Sequence, residues 1–441
     1  MRRESRFTGN IILGNSKFVQ SSTTVYDSYY VYRSERIAYA KYVAYSNNGS
    51  SSENIFGCQN FGRSQFLMRC GAVFELARCL ALTKSDNSQD CYFSHGLFGC
   101  RECLFCFNIR TKRNRIGNLQ LSPEKYAQLK GKLLAEALGM LKKNKRLPNI
   151  MEIAGATKPD YRLLKDVASG MPSRQAEVQD KPIIEDAFAK TAHLVLGAKP
   201  LGIDKCLGLL EKNSSGTTED CKSCLSGKPI KLGSHYGWIG KFPRERLLTL
   251  EEADFTGEKL SLFGQETDSL NFENAPAILS KIAYFTPIWL TGTLRNNIDS
   301  PINLYSTDTY RGVTFIESRL CASCFMARTC EHAFGCTDAR NLSFCINCND
   351  SVKLTRCFEC DNSSNCSDCY FIHNCENLHD CMFCFNVKNL RHAIGNYEVG
   401  KEEYIRIKKI LLDALGGRIE KSGDFPLTIY NIKMPKTKVR E

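Results

Sequence analysis

The chain has 441 residues, which is enough for two to four domains of ordinary size. Hydrophobic residues make up 43% of it and charged residues 24%, and these values exclude a collagen, a coiled coil and long disordered tracts. No run of 18 apolar residues occurs, and the polar start Met1–Arg6 does not lead into a signal-peptide hydrophobic region. We therefore expect a protein of the cytoplasm or of a virion, not secreted by a signal peptide and without a membrane partner.

Charge and cysteine both stand out. The whole formal net charge of +12 lies in residues 1–155, which contain 23 Lys and Arg against 11 Asp and Glu, because the remainder contains 36 of each. The 23 cysteines are the one unusual feature of the composition. In a long chain without an export signal, so many cysteines indicate metal ligands or buried thiols rather than disulfides.

Most of the cysteines follow a period of three. Seven near the N-terminus and thirteen near the C-terminus form two groups, and every spacing within a group is a multiple of three. From Ser318 to Ala393, every third residue is small or apolar and none is charged. A helix repeats about every 3.6 residues and a strand about every 2, so the triplet predicts a tightly wound solenoid with one inward residue on each short side.

Residues twelve apart in this series keep a common character. One column contains Ala333, Cys345, Cys357, Cys369 and Cys381, and three others run beside it. The sequence therefore predicts coils of four triplets in which residues i and i+12 stack about 4.8 Å apart. Asn often precedes the inward residue and should form ladders at the corners, because its side chain bonds the local backbone and tolerates unusual dihedrals. Examples are Asn341, Asn362, Asn365, Asn374, Asn377, Asn386 and Asn389.

The N-terminal third repeats the pattern with fewer cysteines. One of its columns contains Val19, Val31, Val43, Ile55, Leu67, Cys79, Cys91 and Cys103. Because valine and serine replace cysteine there, most of the thiols are expected to act as small buried hydrophobes. The arrays also end alike, since Cys103–Ile109 matches Cys381–Val387 and Ile116–Asn118 matches Ile394–Asn396 at an offset of 278. This correspondence predicts an internal duplication.

A helix is predicted after each array. Ser122 and Pro123 form a favourable helix start, and apolar residues line one face to about residue 141. The second helix is predicted from Lys401 to about Leu415. A solenoid needs a cap on its open end, and both helices follow their arrays directly.

These features predict a mainly β fold with two duplicated, right- or left-handed β-solenoid arrays of 12-residue coils, each capped by an α-helix, plus a mixed α/β middle region. We expect the first array in residues 1–117 and its capping helix and basic run in 118–150. Residues 151–305 would form a middle α/β domain or linker. The cysteine-rich second array would occupy 306–396, and the second capping helix and a basic tail 397–441.

In its arrays and helices, which span more than half of the chain, the sequence resembles the uncharacterised cysteine-rich triplet-repeat proteins of archaea and small-genome bacteria. Their arrays likewise end in an aromatic, Asn and Gly run before a Tyr-bearing helix, as Phe107–Ile109, Ile116–Asn118 and Tyr126 do here. The resemblance implies no known activity.

Two sets of cysteines have metal-site spacing. Cys345-x2-Cys348 with Cys357-x2-Cys360 looks like a four-cysteine zinc site, but two thiol columns in a twelve-residue coil give the same spacing. Buried structural thiols are the favoured interpretation, with zinc, iron–sulfur or disulfide ladders as alternatives. Outside the arrays, a structural zinc ribbon competes with unrelated cysteines and a surface histidine. No cofactor is therefore expected, and zinc is the alternative. The residues of this second set are Cys206, Cys221, Cys224 and His235.

Two basic runs are candidates for contact with nucleic acid or another polyanion, because clustered Arg and Lys neutralise phosphates. The alternative is a solvated face with cations at a helix C-terminus. No pattern of a base-reading module supports sequence-specific recognition. The first run contains Arg110, Lys112, Arg113 and Arg115, and the second contains Lys142, Lys143, Lys145 and Arg146.

A strip of large apolar residues is predicted to face outward in each array. A strip about 20 Å long is rarely left in water. The chain's own helices and middle region would cover it, or it would be a docking surface for another subunit. The strips contain Phe56, Met68, Leu80, Tyr92 and Leu104 in the first array, and Phe334, Ile346, Phe358, Tyr370 and Met382 in the second.

The remaining histidines show no paired spacing with a carboxylate or nucleophile, and no nucleotide-binding loop or paired-carboxylate motif occurs. The sequence therefore indicates a non-enzymatic structural or binding protein, a rigid component of a virion or ribonucleoprotein assembly. Its partners would be other protein subunits and, through the N-terminal third, nucleic acid. The alternatives are a zinc or iron–sulfur redox protein and, more weakly, a hexapeptide-repeat acyltransferase, whose coils have three longer sides.

Overall fold

The computed structural model describes residues 11–172, 179–213, 216, 218–233 and 239–432. These residues form two compact units. The N unit consists of the described residues of Ile12–Gln175 and Glu219–Trp289, and the C unit of those of Ala176–Thr218 and Leu290–Glu441. The chain is mainly β, and each unit contains one solenoid-like array of parallel strands together with helices.

Parallel strands of the N unit pair in a register of twelve residues. Gln65 lies beside Ala77, and Leu67 lies beside Cys79. The chain thus advances by one strand position every twelve residues, which is the spacing of the sequence columns. The strands are Ile12–Leu13, Lys17–Gln20, Thr23–Tyr26, Tyr29–Tyr32, Glu35–Ala38, Lys41–Ala44, Asn47–Ser50, Glu53–Phe56, Gln59–Gly62, Gln65–Met68, Gly71–Phe74, Ala77–Leu80, Thr83–Asp86, His95–Phe98, Arg101–Leu104, Phe107–Arg110, Arg113–Ile116 and Leu119–Gln120, with Thr218–Lys222 and Pro229–Gly233 as a separate pair.

The same register continues in the C unit, where Cys321 lies beside Ala333 and Ala333 beside Cys345. Here too the coil length follows from the columns of the sequence. The strands are Trp289–Thr291, Arg295–Ile298, Ile302–Leu304, Thr307–Tyr310, Thr314–Ile316, Arg319–Ala322, Phe325–Ala327, Glu331–Phe334, Ser343–Ile346, Val352–Thr355, Phe358–Asp361, Ser364–Ser367, Tyr370–His373, His379–Met382, Arg391–Ile394 and Tyr397–Glu398.

The strands of this second array begin with Trp289–Thr291, whose first residue still belongs to the N unit, well before the boundary expected at residue 306. The early coils have polar residues in their interior. Thr309 Oγ1 lies 2.8 Å from Asn297 Oδ1 and 3.0 Å from Asn303 Oδ1. Because the inward residues of these coils are polar, the sequence here lacks the small or apolar residue at every third position by which the later coils are recognised.

The backbone of each coil turns through left-handed residues that recur every third position. In one coil these corners are Asn48, Ser51, Asn54 and Gly57, whose φ angles lie between 51° and 63°. Such a conformation costs most residues about 1–2 kcal/mol, but glycine adopts it freely and Asn and Asp adopt it more easily than others. The predicted Asn corners are confirmed, since all seven have φ between 47° and 58°.

Serine and cysteine make the same two hydrogen bonds inside the coils. Ser46 Oγ donates to Ala44 O at 2.9 Å and accepts from the Cys58 amide at 3.0 Å. Cys58 Sγ donates to Phe56 O at 3.4 Å and accepts from the Cys70 amide at 3.3 Å. Every array cysteine is buried. The thiols therefore fill the interior and also satisfy backbone groups, as the serines of the same column do.

Cys58→Ser is expected to change the free energy of unfolding by no more than about 1 kcal/mol, because the hydroxyl can make both hydrogen bonds. Cys58→Asp should destabilise the N unit by about 4 kcal/mol or more, since it buries a carboxylate without a cation. Urea unfolding of the two variants beside the wild type measures both effects. Unfolding caused by the serine variant would mean that the thiol does something a hydroxyl cannot.

Nine α-helices among the described residues accompany the arrays. α1 begins after Ser122, whose Oγ accepts from the Lys125 amide at 3.2 Å, and the predicted start is confirmed. α9 runs seven residues beyond the predicted end at Leu415, because Leu415 and Ile419 are both buried. The helices are α1 (Pro123–Asn144), α2 (Ile150–Gly155), α3 (Tyr161–Ala168), α4 (Lys181–Leu196), α5 (Leu207–Leu210), α6 (Leu250–Gly257), α7 (Gly264–Ser269), α8 (Ala275–Ile278) and α9 (Lys401–Ser422).

The middle region is divided between the two units and does not form a domain of its own. The part up to Gln175, with α2 and α3, belongs to the N unit, whereas the part from Ala176 to Thr218, with α4 and α5, packs against the second array. The part from Glu219 to Trp289, with α6, α7 and α8, belongs to the N unit. These segments lack the triplet because each covers the outside of an array.

Candidate functional site

The first basic run is largely paired within the N unit. Arg110 Nη2 lies 3.0 Å from Asp254 Oδ1, and Lys112 Nζ lies 2.7 Å from Glu258 Oε2. Both acids belong to α6 or its end, more than 140 residues further along the chain. Arg115 donates to the Asn118 carbonyl at 2.6 Å. The run of cations is evident in the sequence, but its ion pairs with Asp254 and Glu258 are evident only in the structure.

The remaining cations of the two runs are more exposed. Arg113, Lys142, Lys143 and Lys145 all face solvent. Arg146 is also exposed and pairs with Glu152 at 2.8 Å. A phosphate contact in this region would therefore rest on four side chains rather than on eight.

The second cysteine set is split between the units. Cys206 is buried in the C unit among residues of α4 and α9, and burial raises its pKa to about 11. Cys221 and Cys224 belong to the N unit, and burial raises the pKa of Cys224 to about 12. His235 lies outside the described residues. Within the described ranges, no three His, Cys, Asp or Glu side chains are arranged to hold a metal ion.

The four array cysteines with zinc-like spacing are buried inside the second array and form no disulfides. Burial raises the pKa of Cys345 and Cys348 well above the ordinary thiol value. Cys345 Sγ donates to Ser343 O at 3.5 Å, and Cys348 Sγ donates to Ile346 O at 3.6 Å. Cys357 and Cys360 donate to carbonyls two residues earlier in the same way. This arrangement supports the packing role of the thiols.

A buried histidine does face a carboxylate, contrary to the expectation from spacing. His373 Nδ1 lies 2.7 Å from Asp361 Oδ2, and both side chains are buried. Tyr430 Oη donates to Asp361 Oδ1 at 2.8 Å. The two partners are twelve residues apart, so adjacent coils bring them together. The cluster fastens the segment around Tyr430 to the array, which is a structural role.

The apolar strip of the C unit is covered by the chain itself. All five of its residues are at most 2% exposed. The rings of Phe188 of α4 and Phe334 lie 5.0 Å apart, and Tyr370 Oη donates to Val195 O at 2.9 Å. This strip, formed by Phe334, Ile346, Phe358, Tyr370 and Met382, is therefore part of the core and not a docking surface.

The corresponding strip of the N unit is only partly covered. Leu104 is buried, and Leu80 and Tyr92 are half-buried. Lys130 of α1 lies over the Tyr92 ring at 5.5 Å. Phe56 and Met68, however, are 44% and 45% exposed. The two strips thus have different environments despite their similar residues.

Around these two residues lies a surface that the sequence columns did not single out. We call it the open face: the outward side chains of the strands Lys17–Gln20, Tyr29–Tyr32, Lys41–Ala44, Glu53–Phe56 and Gln65–Met68. Its corner column contains Phe18, Tyr30, Tyr42 and Phe66, all exposed. Their spacing of twelve or twenty-four residues is visible in the sequence once the corner positions, and not only the inward ones, are followed.

The aromatic corners of the open face stack on one another. The rings of Phe18 and Tyr30 are 4.7 Å apart and nearly parallel, and those of Tyr30 and Tyr42 are 5.0 Å apart. Lys41 Nζ lies over the Tyr42 ring at 4.8 Å. A groove of about 580 Å³ borders this face and shares Lys41, Glu53 and Gln65 with it. The surface combines apolar rings, hydroxyl groups and cations.

No family model matches the chain, and no curated protein or solved structure matches it either. Its function is therefore inferred from its own surfaces. In the described part of the chain, no helix is both long and apolar enough to span a membrane.

Proposed function

We propose that this protein is a non-enzymatic binding scaffold, a component of a larger assembly such as a virion or a ribonucleoprotein particle. Its two arrays derive from one duplicated segment, and the helix that follows each array caps its last coil. The open face of the N unit is the surface through which the scaffold holds a partner.

Matching contacts at the two array ends support the duplication and the capping. Asn118 Oδ1 accepts from the Phe107 amide and Asn396 Oδ1 from the Phe385 amide, both at 2.8 Å. Each Asn also donates back to the carbonyl of the same Phe. The side-chain amide thereby occupies backbone groups at the end of each array that would otherwise remain open to pairing. Tyr126 and Tyr404, which begin the following helices, are both buried.

The observation that carries the binding role is the exposure of large apolar side chains on the open face. Seven of them, from 37% to 67% exposed, occur within five consecutive coils. Contiguous apolar patches rimmed by polar groups mark interaction sites, and tyrosine is enriched in protein interfaces. The seven are Phe18, Tyr29, Tyr30, Tyr42, Phe56, Phe66 and Met68.

A pair of charge substitutions tests this role. Phe56→Glu with Met68→Glu is expected to leave unfolding within about 0.5–1 kcal/mol of the wild type, because both side chains are exposed. In sucrose gradients of native extracts, the wild type should sediment in a high-mass particle and the double variant as free chain. Leu138→Glu with Leu141→Glu is the matched control, since it changes exposed apolar residues of α1 in the same unit. A wild type that sediments alone would refute the proposal.

A further inference from the structure

In the C unit, α4 covers the region that corresponds to the open face. Its residues Ile184, Phe188 and Val195 belong to one buried cluster with the array. α4 contacts four successive strands of that array, from Thr307–Tyr310 to Ser343–Ile346. Its 16 residues make a helix about 24 Å long, the length of about five strand spacings.

The residues beneath α4 recur in the N unit. Each of the four strands that α4 contacts ends in a residue of this cluster, and these residues are at most 6% exposed: Tyr310, Ala322, Phe334 and Ile346. At the same offset of 278 positions stand Tyr32, Ala44, Phe56 and Met68, identical at three positions and similar at the fourth. Among the described residues of the N unit, no helix lies over Phe56 and Met68. As far as the structure describes it, the N unit therefore keeps the residues that pack under a helix in the C unit but has no helix packed on them.

The border of the open face differs from the border beneath α4. In the C unit, Asn296 exchanges hydrogen bonds with the backbone of Asp180, just before α4, at 2.7 and 2.8 Å. The equivalent position in the N unit is Phe18, which begins the aromatic stack. Lys17 and Lys41 lie beside this stack, on the first position of their strands. A helix placed here would meet rings and cations, which favours acidic side chains along its edge.

Nucleic acid and a second copy both fit the open face less well. Phe18 and Tyr42 cover the two faces of the Tyr30 ring, so a base cannot stack on it. The face measures about 24 Å by 13 Å, roughly 300 Å², from its five strands of four residues. A stable interface between two subunits buries about 800 Å² on each partner. The open face is therefore too small for a stable interface with a second copy of the chain, but it matches the area that a single helix covers.

We propose that the open face binds an amphipathic helix of another polypeptide, about 16 residues long. Its apolar stripe carries small and aromatic residues at the spacing found in α4, and acidic residues face Lys17 and Lys41. This inference rests on the proposed scaffold function and names the class of its partner.

A peptide of α4 is the probe, because that helix already packs on the matching column. Fluorescein-labelled Asp180–Gly197 should bind the full chain with a dissociation constant in the micromolar range and gain helical circular dichroism. Phe56→Glu with Met68→Glu in the protein should weaken binding at least tenfold, and Leu138→Glu with Leu141→Glu should not. Phe188→Glu in the peptide should abolish binding without affecting the fold of the protein.

Other outcomes overturn the inference. Failure of the peptide to bind at 200 µM, roughly a hundredfold above a low-micromolar constant, or binding that the open-face variant retains, excludes a helix site. Binding of a 20-nucleotide oligouridine that only the open-face variant loses would assign the face to nucleic acid. Self-association in sedimentation equilibrium that only this variant loses would assign it to a second copy. If the high-mass particle still depends on Phe56 and Met68 in those cases, the scaffold function stands and only the helix is excluded.

Discussion

Leu354→Lys is expected to unfold the C unit. Leu354 is fully buried on the inward side of its strand and lies beside Cys366 of the next coil. An ammonium group there would lose its hydration and meet only apolar and thiol neighbours. We expect a loss of about 4–5 kcal/mol or more, a large part of the 5–15 kcal/mol that stabilises an ordinary domain. Circular dichroism during urea unfolding measures it.

The adjacent residue is the matched control for this change. Thr355 is only half-buried and lies on the outside of the same strand. Thr355→Lys should therefore shift the free energy of unfolding by no more than about 0.5–1 kcal/mol. Leu354→Met, which keeps the volume, should cost less than about 1.5 kcal/mol. Equal losses from the two lysine variants would mean that the inward column is assigned wrongly.

The coil could be predicted from sequence because its register is local. Residues that stack in neighbouring coils are always twelve apart, so the columns of the sequence alone predict the pairing of Leu67 with Cys79. The Asn corners follow from the same regularity. The coils whose interior is polar could not be recognised from the sequence, because no apolar residue recurs there every third position. Asn297, Asn303 and Thr309 are the inward residues of these coils.

The contacts between each array and the helices that pack on its outer surface could not be predicted from the twelve-residue period. No period links Arg110 to Asp254, or Phe334 to Phe188, since each pair joins an array to a separate segment more than 140 residues away. The similar strips of the two arrays illustrate the limit. Phe56 and Phe334 occupy matching positions, yet only Phe334 is covered, and α4, which makes the difference, lies outside both repeats.

A buried lysine makes the stability of the N unit depend on pH. Lys84 is 2% exposed at a corner of the array, with its Nζ 5.8 Å from the Phe98 ring centre. Burial lowers its pKa from 10.5 to about 7, partly opposed by the negative charge of Asp254 and assisted by the positive charge of Arg110. The amine is therefore largely deprotonated in the folded protein at pH 8 but protonated in the unfolded chain.

Because the folded pKa is the lower one, the unfolded chain binds more protons between pH 7 and 10.5, and stability rises with pH across that window. The free-energy penalty for protonating the buried amine in the folded protein is fully present below about pH 7 and absent above pH 10.5. The full pKa shift corresponds to a penalty of about 5 kcal/mol as an upper bound. Lys84→Met should remove it and stabilise the N unit at pH 7 by about 2–4 kcal/mol.

Fluorescence of Trp289 reports on this part of the N unit, because its buried ring lies 6.1 Å from that of Phe98. Urea unfolding in a Trp238→Phe background, at pH 7 and at pH 9.5, should show the gap between the wild type and Lys84→Met narrowing as the pH rises. Lys142→Met, at an exposed position, should show no such gap. A gap that stays constant with pH would mean that the Lys84 amine keeps its proton in the fold, since only a difference in proton binding can make the gap depend on pH.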